Sequence, residues 1–122
     1  MQAIVVDDSH LVRYALKRFL ETAGFDVTEA NDGREALTYL AKTSAYEVAF
    51  VDWHMPEMNG LDFVRLVRAN RRFDSMKIVM VTMENDLSHI EQALAAGATE
   101  YVMKPFSKDI ILDKLRLLEL VS

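Results

Sequence analysis

Along the whole chain, short apolar runs alternate with stretches in which apolar residues recur at helical spacing. The runs are AIVV (3–6), FDVTEA (25–30), VAFVD (48–52), KIVMVT (77–82) and EYVMK (100–104). Each is short and rich in β-branched or aromatic residues, with polar or glycine punctuation at its ends, which predicts strands. Helices are expected between them. The first carries Leu11, Val12, Ala15, Leu16, Phe19 and Leu20 as one apolar stripe, with Ser9 as its N-cap and Gly24 at its end. The second begins after Asn31-Asp32-Gly33, the third after Gly60, and the fourth after Asn85-Asp86, ending at Gly97; the fifth runs from about Ser107 to Leu120. Five strand-helix repeats of this kind imply right-handed crossovers and a parallel sheet with helices on both faces.

In an open parallel sheet the ligand site lies at the carboxyl ends of the strands, so the residues ending each strand carry the most information. The first strand ends in the adjacent acids Asp7 and Asp8, the third in Asp52, the fourth in Thr82, and the fifth in Lys104 followed by Pro105. Three carboxylates, a hydroxyl and an ammonium are thus directed to one edge. Adjacent like charges repel unless they are well solvated or a cation sits between them. Hard oxygen ligands of this kind suit Mg²⁺ and not zinc or copper, despite His10 and His54 nearby.

Composition narrows the function classes. With 122 residues, the chain has the length of one domain, taken as 1–122. The absence of cysteine excludes disulfides and thiolate metal sites. A net charge of −5 argues against a sequence-independent grip on nucleic acid. The basic cluster RLVRANRR (65–72) is read as a solvated helix face. No signal-peptide pattern opens the chain and no apolar run reaches membrane-spanning length, so a cytoplasmic location without membrane contact is expected.

The strand-end set resembles the receiver domain of two-component response regulators, the CheY-like family, over essentially the whole chain. VVDDS (5–9) is similar to the family's acidic pair and VDWHMPEMNG (51–60) to its phosphoacceptor loop. VTME (81–84) resembles the switch segment, and YVMKPF (101–106) the Lys-Pro motif. The resemblance implies a flavodoxin-like (βα)5 doubly wound sheet of strand order 2-1-3-4-5. It implies Asp52 as phosphoacceptor and Mg²⁺ held by Asp8, Asp52, the His54 backbone carbonyl and Asp7, directly or through water. Lys104 and Thr82 would engage the phosphoryl group, and a cis Lys104–Pro105 peptide would aim the lysine at the site. Thr82 and Tyr101 would form the switch, changing a face made by the fourth helix, fifth strand and fifth helix.

The implied donor is a histidine kinase or phosphotransfer protein, and the implied output a protein partner or a second copy of the chain. Such a domain catalyses its own phosphorylation and dephosphorylation without being a turnover enzyme. Two positions depart from the usual pattern. His54 either influences the water that hydrolyses the phosphoryl group or is inert, and Met83 is expected to lie over the mouth of the site. In the fifth helix, Ile111, Leu115 and Leu118 form one stripe, leaving Leu112 or Leu117 for exposure. Other uses of such a sheet fit less well. A haloacid-dehalogenase-type phosphatase wants a second aspartate where His54 stands, and a flavin carrier wants a phosphate-binding loop where DDSHLV (7–12) would repel the ligand. An inert pseudo-receiver would not keep all five polar residues.

Overall fold

The computed structural model describes residues 1–83 and 87–122. Glu84 and the Asn85-Asp86 turn expected before the fourth helix lie outside the described residues. Among those described, the strands are β1 (Gln2–Val6), β2 (Asp26–Ala30), β3 (Tyr46–Asp52), β4 (Lys77–Thr82) and β5 (Glu100–Met103). The helices are α1 (His10–Thr22), α2 (Gly33–Lys42), α3 (Gly60–Arg68), α4 (Leu87–Ala96) and α5 (Lys108–Leu117), with a 3-10 turn over Arg71–Phe73. All strand pairs are parallel and the sheet order is β2-β1-β3-β4-β5. This is the flavodoxin-like arrangement expected.

The continuous apolar strands follow from burial on both faces. Because successive side chains point to opposite faces, each strand feeds two cores. Ile4, Val6, Ala49, Val51, Ile78 and Met80 pack with Leu40, Phe63, Val64 and Val67 of α2 and α3. Ala3, Val5, Val48, Phe50, Val79 and Val81 pack on the other face with Leu16 and Leu20 of α1 and with Ile111 and Leu115 of α5. The helix starts are written locally. Ser9, Asp32, Asn59 and Ser107 are N-caps, each accepting a backbone N–H from three residues on.

Three expectations change. Leu11 is 78% exposed instead of sharing the core stripe, because its position in the first turn of α1 lies above the sheet edge, beside Met83 and Phe106. Arg68 is no part of a solvated face. It turns under the end of α3 and donates to the carbonyls of Gly97 (2.9 Å), Phe73 (2.7 Å) and Met76 (2.7 Å). Helix α5 ends at Leu117, not Leu120. Glu119 takes a left-handed φ of 61°, and the N–H of Leu120 turns back to the Leu115 carbonyl (2.9 Å). Leu112 and Leu118 then pack partly against the core, and Leu117 is the exposed one.

Candidate functional site

Parallel pairing sets the strand ends side by side. Asp52 lies opposite Val81, and Thr82 opposite Met103. One residue beyond each strand the ladder continues, from Asp7 N–H to Ala30 O (3.1 Å), Trp53 N–H to Val81 O (3.0 Å) and Lys104 N–H to Thr82 O (2.8 Å). Asp7, Asp52, Thr82 and Lys104 therefore meet at one edge although they are far apart in the chain. Glycine is required behind the loop that follows Asp52, where Gly60 donates to the Trp53 carbonyl at 2.8 Å. A Cβ there would collide with the Asp52 carbonyl and press on Met80.

The Lys104 ammonium bridges Asp7 Oδ2 (3.1 Å) and Asp52 Oδ1 (3.2 Å). The Ser9 N–H holds the other oxygen of Asp7 at 2.8 Å. Asp7 and Asp52 are buried, Asp8 is exposed, and one oxygen from each can be drawn from a group within 4.8 Å. The negative charge is not balanced. Burial, then the neighbouring Asp7, raises the Asp52 carboxyl above its ordinary value, while Lys104 pulls it back only in part. For Lys104, burial works against the charge, but Asp52 and Asp7 outweigh it and hold the ammonium above its ordinary value. The donor set is three carboxylates with one open, solvent-facing member, which suits a hard divalent cation.

Thr82 is buried at the end of β4, while Met83 is 74% exposed. Met83 lines a shallow apolar groove with Leu11, Val12, Ala15, Pro105 and Phe106, and Lys104 lies at its edge. His54 is exposed just beyond the end of β3. The Lys104–Pro105 peptide is cis. Tyr101 is half-buried, with the Lys114 ammonium 5.2 Å from its ring centre. On its inner side lies a small slot lined by Trp53, Thr82, His89 and Ile90. The His89 ring stacks on Trp53 with centroids 4.8 Å apart and planes 17° apart.

Several of these neighbours were not legible in the chain. Helical spacing places Arg13, His89 and Lys114 on helices but does not say that Arg13 donates to the Asp7 carbonyl (2.7 Å), that His89 stacks on Trp53, or that Lys114 covers Tyr101.

A model of the response regulator receiver domain matches residues 3–116. The chain belongs to this family. A chemotaxis protein CheY homolog of Campylobacter jejuni is 42% identical over 116 residues, covering 94% of this chain and 89% of that protein. Chemotaxis protein CheY1 of Helicobacter pylori is 42% identical over 118 residues, covering 96% of this chain and 95% of that protein. The solved structure of Vibrio cholerae chemotaxis protein CheY4 superposes with a TM-score of 0.90 at 34% identity, covering 96% of this chain and 97% of that one. This receiver is therefore CheY-like and a component of two-component signalling, in which such domains interact with histidine kinases and downstream targets. Among the described residues no helix is long and apolar enough to cross a membrane.

Proposed function

We propose that residues 1–122 act as one phosphoacceptor domain in which Asp52 takes up a phosphoryl group. The observation that carries this reading is the convergence of Asp52 with the Lys104 ammonium at 3.2 Å and with two further carboxylates at the sheet edge. An Asp52 oxygen attacks phosphorus of a phosphohistidine on a histidine kinase or phosphotransfer protein, or of a small donor such as acetyl phosphate. A phosphorus–oxygen bond forms to Asp52 as the bond to the donor's leaving atom breaks, and the leaving histidine nitrogen is released once protonated. Lys104 exchanges its contact with Asp52 for the new phosphoryl oxygens, and Thr82 donates its hydroxyl to them.

Asp7, Asp8, Asp52 and the His54 carbonyl would hold Mg²⁺, which supplies positive charge for the transferring group. Three carboxylates gathered around one ammonium, with Asp52 only partly compensated by Lys104, support this assignment. Hydrolysis of the acyl phosphate resets the domain; the exposed His54 either influences the attacking water or is inert, and Met83 lies over the mouth of the site. The chain thus promotes its own modification and reversal and is not a turnover enzyme.

For output, drawing Thr82 inward frees space beside Tyr101, which turns toward the slot next to His89 and Trp53 and changes the face formed by α4, β5 and α5. A protein partner or a second copy then reads that face, where Leu117 is 64% exposed. No nucleic acid or membrane contact is needed, and the setting is cytoplasmic.

The test is intact-mass analysis after incubation with acetyl phosphate. Wild type should gain one phosphoryl group only without EDTA, and Asp52→Asn should gain none; equal labelling of the variant would overturn the assignment. With beryllofluoride in place of phosphate, amide exchange should change across α4, β5 and α5.

A further inference from the structure

Behind the acidic pair lies a charged residue that the phosphoryl chemistry does not use. Arg13, in the first turns of α1, is only 11% exposed at its side chain, low for a group that normally seeks water. Its Nη1 donates to the backbone carbonyl of Asp7 at 2.7 Å, and its Nε pairs with Glu29 Oε1 on β2 at 3.2 Å. Glu29 is tied a second time, more loosely, to Lys17 at 3.8 Å. The clamp therefore joins three elements at the point where β1 gives way to α1.

We infer that Arg13 is a positioning residue for the cation site, setting the direction of Asp8 by fixing the peptide that leads into it. The strand ladder ends with the Asp7 N–H on the Ala30 carbonyl. The next carbonyl, that of Asp7, receives the guanidinium instead. With its N–H side on β2 and its carbonyl on Arg13, the backbone at Asp7 is held from both directions, and the Asp7–Asp8 peptide plane has little freedom left. Asp8 is exposed, so its carboxylate takes its direction from that backbone more than from packing of its own.

Charge explains why Glu29 belongs to the device. A lone guanidinium so near a cation site would repel the ion it is meant to accommodate. Glu29, which Lys17 shares more loosely, offsets part of that charge, while the planar fork of Arg13 still spans a carbonyl and a carboxylate together, which an ammonium does less well. Outer partners of metal ligands commonly govern affinity in this way.

This inference rests on the proposed reading of Asp7, Asp8 and Asp52 as a Mg²⁺ site. The experiment is titration of the full chain with magnesium chloride at constant ionic strength, followed by Trp53 emission and by calorimetry, with circular dichroism on each variant. Arg13→Ala should bind Mg²⁺ about tenfold more weakly, the lower end of what loss of an outer partner costs. Arg13→Lys should fall between it and wild type. A folded Arg13→Ala with wild-type or tighter affinity would overturn the inference, the tighter result showing that the residue acts only as a repelling charge. Should Arg13→Ala not fold, Glu29→Gln removes the anchor with little change of shape. It should weaken binding severalfold, and unchanged affinity would count equally against the clamp. Asp8→Ala separates the two readings: a wild type that gives no Mg²⁺ response, or an Asp8→Ala that titrates like wild type, refutes the cation site itself, and the clamp's purpose with it.

Discussion

Two largely enclosed cations stand at opposite ends of the sheet, and their partners differ in kind. At the carboxyl edge, Lys104 faces the carboxylates of Asp7 and Asp52, with Asp8 close by. At the amino end of β4, Arg68 faces three backbone carbonyls, those of Phe73, Met76 and Gly97. The Arg68 acceptors are neutral backbone carbonyls at the ends of local elements, that of Phe73 also accepting from the Met76 N–H at 3.1 Å, so a single fork ties α3, the 3-10 turn and the end of α4 together. Gly97, with a φ of 118°, lies so close that a Cβ would strike the Arg68 stem. The Lys104 cluster is instead overfull of negative charge, with Asp52 raised by burial and by Asp7. The Arg68 cluster pairs one cation with neutral acceptors, whereas the Lys104 cluster gathers three carboxylates around one ammonium.

The sharpest way to break this comparison is to exchange the two roles. Asp52→Asn should abolish phosphoryl uptake while leaving the fold intact. Arg68→Ala should keep uptake in the folded protein but lower unfolding free energy by roughly 2–3 kcal/mol, because buried carbonyls lose charged donors. Urea denaturation and acetyl phosphate labelling of both variants check this; an Arg68→Ala that folds normally but fails to label would join the two ends functionally and break the contrast.

Next in size is the cation response. On the proposed reading of Asp8 as a ligand, Asp8→Ala should weaken Mg²⁺ binding by at least about tenfold, no less than loss of an outer partner. Trp53, buried and adjacent to Asp52, gives the emission readout.

Stability against pH sharpens the comparison further. A carboxyl whose folded pKa is raised favours the folded state most when protonated, and that contribution is lost as pH rises through the folded value. Asp52→Asn removes the cost of the buried charge, so without Mg²⁺ it should be more stable than wild type at neutral pH. The advantage should shrink as pH falls through the raised value of Asp52 and vanish below the ordinary carboxylate range, where both proteins carry a neutral group. Denaturation midpoints from pH 7 to pH 3 test this; a constant difference would mean that charge is not its source.

The smallest effect is expected at Met83. Since the side chain is 74% exposed, Met83→Ala should change stability by less than about 0.5 kcal/mol. It should nevertheless speed uptake from acetyl phosphate and loss of the phosphoryl group to water by a fewfold, measured by stopped-flow Trp53 emission. Equal rates would show that Met83 does not gate the site.

Much of this molecule can be read before it folds. Apolar alternation determines the five strands within one or two residues, Ser9 and Ser107 mark helix starts, and parallel topology directs Asp7, Asp8, Asp52, Thr82 and Lys104 to one edge. These are properties of local periodicity and of the end of the strand at which a residue stands, and the chain states both. Tertiary structure alone decided where long side chains reach. Arg68 looked like one more charge in a basic run, yet it turns inward because two carbonyls of the α3–β4 connection and one from the end of α4 meet beneath it. Leu11 shared the period of a buried stripe and stays exposed, because the first turn of α1 rises past the sheet edge. Arg13 meets Glu29 across 16 residues, and Lys104 meets Asp7 across 97. Such meetings depend on the packing of elements distant in sequence, and a pattern of near neighbours carries no term for that distance.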